Sequence, residues 1–469
     1  METACSPFSQ ITMKTPFLAL PLILALSLTA CASYQPLALQ DRPNWQEQLG
    51  HVAVPPAELG FPSLPAHPFA ASADGLDMTD VAILAVVNNP DLRLARDDSR
   101  LARAQSFAAS LLPDPQLAMT ADFKRHPDPG SSSGYSIGPS YDFGSLLTHG
   151  KLADAAAHEA EKADLNQLWQ EWQVIAQARL LYIKIVAGQR MQQLLAQQQS
   201  ALQVRDEQVR QALAQGLVTL DVANTVLTAT QDIQRQQGDL ARQQNQARHD
   251  LNNLLGLAPT VLVPLQDKLE LEAIDRAGVA AILPHLAQRR PDLLALKSGY
   301  QAQDQRYRAA IIAQFPALNI GFTRARDTSN VSSQGFGVTI SLPVFNRNRG
   351  NIAIEKATRQ RLHDEYQQRL NLAYADVDRL LQEQDLEARQ IAVAEQGRLL
   401  LERQRANVLS AFTAGNLDTL VLMNIDTALL AKQSEAITLE QTMLEQRVAL
   451  LTVIGGELPV TRKENQAHE

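Results

Sequence analysis

Two spacings of apolar residues alternate along this chain, one of every second residue in short stretches and one of every third or fourth in long ones. In Gln116 to Phe123, Leu117, Met119, Ala121 and Phe123 alternate with Ala118, Thr120 and Asp122. In Gly134 to Phe143, Tyr135, Ile137, Tyr141 and Phe143 alternate with Ser136, Gly138, Ser140 and Asp142. Further on, Leu318, Ile320 and Phe322 stand against Asn319, Gly321 and Thr323, and Phe336, Val338, Ile340 and Leu342 against Gly337, Thr339 and Ser341. These segments predict four strands, each with an oily face and a small, polar face. Lys124 to Ser133 and Ala325 to Gln334, rich in Pro, Gly, Ser, Asp and Asn, predict exposed loops between paired strands.

The long stretches predict helices. From about Lys151 to Ala214, and from about Asn351 to Thr413, no proline interrupts sequences dense in Ala, Leu, Gln, Glu and Arg. Each would span roughly 95 to 100 Å. Their apolar residues form narrow stripes, as in Leu165, Leu168, Trp172 and Ile175, or Tyr366, Ala373, Val377 and Leu380. Such stripes suit helix-on-helix seams. Each long helix ends near a glycine, Gly216 or Gly415, and returns through a second helix ending at Gly256 or Gly455. Shorter helices, about Pro90 to Leu112 and Asp292 to Gln314, lead into the strands; stacked end to end on the returning helices, they would match the long ones in length.

The two halves of the chain are copies. Asn89-Pro90-Asp91-Leu92 returns as Arg290-Pro291-Asp292-Leu293, Leu112-Pro113 as Phe315-Pro316, Gly150 as Gly350, Ala214-Gln215-Gly216 as Thr413-Ala414-Gly415, and Leu254-Leu255-Gly256 as Val453-Ile454-Gly455. The expected class is therefore mainly α with a small β portion, in two tandem repeats of helix, two strands, long helix and helix. The repeats cover 76–257 and 276–456, with a linker at 258–275 and a polar tail at 457–469.

Strands of 8 to 10 residues with this alternation fit a tilted crossing of a bilayer, and equally an antiparallel hairpin packed on a soluble core. If they lie in lipid, four strands cannot close a barrel, and lipid tolerates no open edge. Closure then requires several copies. A trimer, giving a 12-stranded barrel, leaves a wider lumen than a dimer. A coiled-coil rod would account for the helices but has no use for paired strands at matching points in both halves.

The N-terminus supplies an address. Met13-Lys14 precedes an apolar run from Phe17 to Ala30, and Leu28-Thr29-Ala30-Cys31 has the form of a lipoprotein processing site. Residues 1–30 are read as a signal peptide, with 1–12 a start extension, and Cys31 as the acylated, palmitate-bearing N-terminus. The run is too short for a retained membrane span. Residues 31–75, with seven prolines from Pro36 to Pro68, read as an extended leader that lets the body sit away from its anchor. The formal charge of −8 makes nucleic acid an unsuitable partner.

Taken together, these features resemble the TolC-like outer-membrane efflux channels, over about Leu76 to Gly456. The matching phrases are the Asn-Pro-Asp-Leu repeat start, the Leu-Pro and Phe-Pro steps into the strands, and Ala414-Gly415-Asn416-Leu417-Asp418 at a hairpin tip. Ser341 to Ile352 and Leu112 to Leu117 are most similar to the heavy-metal (cobalt-zinc-cadmium) branch. The resemblance implies a homotrimer with a 12-stranded transmembrane β-barrel continued by a 12-helix periplasmic α-barrel. It implies an outer-membrane location, docking to a periplasmic adaptor protein, and an inner-membrane efflux pump of the RND type. It also implies a periplasmic gate, with Asp418 the first candidate and Asp221 the second, and adaptor-contacting tips at Gly216, Leu217, Val218, Gly415, Asn416 and Leu417. Leu217, Val218 and Leu417 are expected to be exposed. The bland reading of both aspartates is an N-cap or first-turn residue.

No catalytic residue, metal site or cofactor is expected beyond the lipid on Cys31. His158-Glu159 lacks the second histidine of a zinc hydrolase, no Gly-rich phosphate loop occurs, and the 9 histidines are scattered. The expected task is conduction of a metal ion, drug or other small molecule. A periplasmic adaptor and a non-conducting coiled-coil structural lipoprotein are the alternatives.

Overall fold

The structure is a computed structural model that describes residues 34–47, 75–123, 125, 132–269 and 274–455. The chain divides into two units, 1–45 and 46–469. In the first, the described residues 34–45 carry no helix or strand. The signal, Cys31 and the C-terminal tail lie outside the described residues.

The second unit is built from two similar series of elements. The first runs α1 (Met78–Asn88), α2 (Pro90–Ser110), β1 (Gln116–Asp122), β2 (Gly134–Asp142), α3 (Phe143–Ala214) and α4 (Leu220–Leu254). The second runs α5 (Arg276–Ile282), a 3₁₀ turn, α6 (Leu286–Arg289), α7 (Pro291–Ile312), β3 (Ala317–Arg326), β4 (Ser332–Ser341), α8 (Arg349–Thr413) and α9 (Thr419–Ile454). At the strand end the helices lie side by side in the order α2, α3, α7, α8; at the other end the order is α4, α3, α9, α8.

The long helices start at different points relative to the sequence expectation. α3 begins at Phe143 and runs 72 residues through Gly150, because Asp142 caps it, its carboxylate accepting from the Gly144 N–H at 2.8 Å. In the second copy Pro343 has no N–H to give, and α8 begins only at Arg349 after Arg347 and Asn348 turn the chain through left-handed conformations. The Asn348 amide donates to Ala310 O at 2.8 Å, tying that turn to the end of α7.

The conserved spacing at the start of each repeat is explained by stacking. α4 ends where α2 begins, and the Asn89 side chain serves both: its oxygen accepts from Leu92 N at 3.0 Å, and its amide donates to Leu254 O at 3.0 Å. Pro90 at the first helical position costs no hydrogen bond. In the second copy Arg290 takes the place of Asn89. Its guanidinium donates to Val453 O at the end of α9 and to both oxygens of Asp292, and it lies over the Trp169 ring at 5.2 Å. Different chemistry thus satisfies the same orphan carbonyls.

α1 is apolar all round and sits inside the largest core. Asp77 and Asp80 form a reciprocal capping box at its start. Val81, Ala82, Ala85 and Val86 then pack against Ala178, Tyr182, Ile185 and Val186 of α3 and Leu251 of α4. The fully buried Tyr182 donates its hydroxyl to Gln266 O at 2.8 Å, and burial pushes its pKa up to about 12. The segment between the repeats is docked on this core: Leu257 and Leu269 are buried in it, Leu76 pairs with Leu265, and Gln46 pairs with Leu257. Gln46 is thus part of the body, and its amide also donates to Asn88 Oδ1 at 3.1 Å.

Candidate functional site

The four strands form one antiparallel meander, β1-β2-β3-β4. Its register decides which residues share a face. Met119 opposes Ile137, Ala121 opposes Tyr135, Tyr141 opposes Ile320, Phe322 opposes Phe336 and Leu318 opposes Ile340. Every apolar column therefore falls on the same side. The other side carries Thr120 opposite Ser136, Ser140 opposite Gly321, Asn319 opposite Thr339 and Gly321 opposite Gly337. The oily side is bare within the chain: Leu117, Met119, Phe336, Val338 and Ile340 are all exposed, and Phe322 and Phe336 meet edge to face at 5.3 Å. Both outer strands, β1 and β4, have no partner beyond them in the sheet and are exposed along their whole length.

The second hairpin is longer than its composition suggested. Strand pairing continues through Arg324 opposite Gln334 and Arg326 opposite Ser332, leaving a turn only at 327–331. A backbone ladder does not need apolar side chains where the rim is wet. The turn is closed by Asp327, which accepts from the N–H groups of Ser329 and Val331, with Asn330 left-handed at φ 69. The corresponding loop of the first hairpin lies mostly outside the described residues.

At the opposite end of the long helices are the two hairpin tips, and they close in the same way. Leu217 N donates to Ala212 O and Gly216 N to Leu213 O, with Gly216 at φ 72; Asn416 N donates to Ala411 O and Gly415 N to Phe412 O, with Gly415 at φ 75. This double bond with a left-handed glycine is the Schellman C-cap. The next helix starts at Thr219 in one tip and at Asp418 in the other, each extended and neither making a side-chain capping bond. Asp418 is thus opposite Thr219 in the repeat, and Asp221 lies in the first turn of α4, opposite Leu420. Both aspartates are exposed, as are Gly216, Leu217, Gly415, Asn416 and Leu417. Val218 is not: it is half-buried against Val209, Val222 and Met423, in a small core joining the two hairpins.

Just above that core is a feature sequence reasoning missed. Asp426 of α9 is buried and receives Arg205 of α3 at 2.9 Å and Arg405 of α8 at 2.6 Å. The signal was available: Asp426 stands in the buried stripe of Leu422, Met423 and Leu429, where a carboxylate needs a partner. A cavity of about 230 Å³ lies beside it, lined by Leu202, Ile233, Met423 and Leu430. Among the described residues no group of three or more His, Cys, Asp and Glu could hold a metal ion, and no helix is long and apolar enough to cross a membrane.

Residues 282–456 match the family described as outer membrane efflux protein. The likeness reaches further, since the probable outer membrane lipoprotein SilC of Salmonella typhimurium is 25% identical over 415 residues, 79% of this chain and 84% of that protein. The second repeat thus carries the pattern of the outer membrane efflux proteins, and the likeness to SilC extends over most of the chain. A membrane protein from Pseudomonas aeruginosa of solved structure shares the fold with a TM-score of 0.71 at 21% identity, covering 82% of this chain and 91% of the other. CusC does so with a TM-score of 0.70 at 18% identity, covering 84% and 96%. The chain has the mainly helical fold with a small sheet that its pattern predicted, and it is an outer-membrane channel component.

Proposed function

We propose that three copies of this chain assemble into a continuous conduit, a 12-stranded barrel in the outer membrane followed by a 12-helix tube in the periplasm. One observation carries the proposal. A meander with a bare oily face and two unpaired edges cannot remain alone in lipid, where an unsatisfied backbone group costs several kcal/mol, on the order of 2–7. Helix surfaces support the same assembly. Leu386, Val393 and Leu400 recur every seven residues on α8 and are exposed, as are Leu94 and Leu101 on α2. A heptad seam of that kind is what a neighbouring helix covers.

In this reading the conduit is closed at the hairpin tips. A three-fold axis turns Asp418 into a ring of three carboxylates, which concentrates cations and repels anions. Asp221 is the second candidate for the gate. The exposed Leu217 and Leu417, with Gly216, Gly415 and Asn416 setting the turns, present the surface to a periplasmic adaptor, which links the conduit to an inner-membrane pump of the RND type. Val218 supports that surface from beneath. Acylation at Cys31 anchors each copy to the outer membrane, a reading supported by the processing site in the sequence.

The test is the full-length protein purified in detergent. A trimer by mass that conducts in planar bilayers is the expected result, and it separates a conduit from an adaptor or a stalk. A monomer that stays in water without detergent once its acyl chains are removed would overturn the proposal.

A further inference from the structure

The register of the sheet puts two arginines on the wrong side. Arg324 and Arg326 fall in the oily column, two and four residues beyond Phe322, with Ile137 and Tyr135 as their partners on β2 and Gln334 and Ser332 on β4. Their counterparts in the first repeat, counted from the matched prolines Pro113 and Pro316, are Ala121 and Phe123, so among the described strands only β3 carries basic residues in the oily column. All four strands join helices at one end, and the arginines are at the other, where the hairpins turn. With the helices in the periplasm, that end is the cell exterior.

The position along the strand is informative. From Leu318 to Arg326 the strand advances about 27 Å, or about 20 Å along the membrane normal at a typical tilt. The outward apolar band of a barrel is about 25 Å tall, so both guanidinium groups reach its outer edge, where the hydrocarbon gives way to headgroups. Tyr135 beside Arg326 is the aromatic residue expected at that level. Among the described residues neither arginine has a carboxylate partner. Arg326 donates to the Asn330 side-chain oxygen, a neutral acceptor, and the adjoining Asp327 is engaged by the N–H groups of the turn. Gln334 and Ser332 across the ladder are uncharged.

We propose that Arg324 and Arg326 form a binding site on the outside of the barrel for the phosphate of a phosphorylated glycolipid in the outer leaflet. Guanidinium groups match phosphate oxygens bidentately, and the acyl chains of the lipid would lie on Phe322, Phe336 and Val338 directly below. One such site recurs three times around the assembly, once on each second hairpin. The inference rests on the outer-membrane conduit described above.

The experiment is native mass spectrometry of the detergent-purified, full-length protein titrated with bisphosphorylated lipid A and, separately, with its dephosphorylated form. The wild type is expected to retain bisphosphorylated lipid A at least about tenfold more tightly than an Arg324→Gln/Arg326→Gln variant, and the dephosphorylated lipid is expected to bind both equally. Arg324→Lys/Arg326→Lys is expected to keep part of the affinity. Equal retention of bisphosphorylated lipid A by the Gln variant, or phosphate-independent binding to the wild type, would overturn the proposal while the conduit stands. Recovery of the wild type as a water-soluble monomer would overturn both.

Discussion

Arg205 on α3 and Asp426 on α9 are held 2.9 Å apart, and that pair ties the first helical hairpin to the second. Arg405 on α8 completes the link at 2.6 Å. The Arg205 and Asp426 side chains are 12% and 10% exposed, so removing the carboxylate leaves a nearly buried guanidinium unpaired. Asp426→Ala is expected to destabilise the tip end of the bundle by roughly 2–3 kcal/mol, below the fully buried range because Arg405 is partly solvated. Hydrogen exchange along α8 and α9 checks this; protection unchanged between residues 405 and 430 would show that the link holds nothing.

A second buried charge makes a prediction about pH. Asp292 is pushed up by burial, but the Arg290 and Arg369 guanidinium groups outweigh that and hold its carboxyl below the usual 3.8. A depressed folded value means that the stabilisation is complete above the unfolded pKa and is lost as pH falls through the folded one. The stability difference between wild type and Asp292→Asn is therefore expected to be constant at neutral pH and to shrink below about pH 4. Thermal midpoints of both proteins across that window decide it. A difference that persists undiminished into stronger acid would exclude the carboxylate as its source.

Gly188 shows why one glycine inside a 72-residue helix matters. A Cβ placed there would lie 1.6 Å from the Gln244 side-chain nitrogen, and Gln244 is itself buried, donating to Lys184 O at 3.3 Å. Alanine normally gains about 1 kcal/mol over glycine in a helix. Here that gain is opposed by displacing a buried amide. Gly188→Ala is expected to lower stability in the wild type and to raise it by about 1 kcal/mol in a Gln244→Ala background. Denaturation midpoints of the four proteins of this cycle test the reversal of sign.

How much of this was legible in the sequence depended on whether periodicity or partnership carried the information. The strands were readable because Leu117, Met119, Phe336 and Val338 alternate with small polar residues, and the register keeps them together. The tips were readable because Gly216 and Gly415 are the residues a left-handed C-cap selects. α1 was not readable, because Val81 to Val86 is apolar without a period and only the Asp77–Asp80 capping box marks it as a helix. The ladder beyond Ala325 reads as loop in the sequence, since polar side chains hide a backbone pairing. Asp426 was passed over for a related reason: its partners, Arg205 and Arg405, lie on other helices, and no local pattern announces a contact across 221 residues.

The proposed gate makes the sharpest functional prediction. Asp418 occupies the N-cap position of α9 but makes no capping bond, so its carboxylate does little for the helix it begins. An exposed charge with no local task can be neutralised at small structural cost. Asp418→Asn keeps the size and the capping capacity of the side chain while removing the charge, and on a three-fold axis it removes three charges at once. If the proposed trimer forms, its assembly and melting temperature are expected to be unchanged, whereas the preference for cations over anions, read from reversal potentials in a salt gradient, is expected to fall several-fold. Asp221→Asn serves as the comparison. It lies two residues further along its helix than Asp418 and corresponds to Leu420 in the second repeat, so its effect on selectivity is expected to be smaller. A channel whose selectivity ignores Asp418 but responds to Asp221 would move the constriction one half-turn into the first hairpin, and one that ignores both would place it outside the tips.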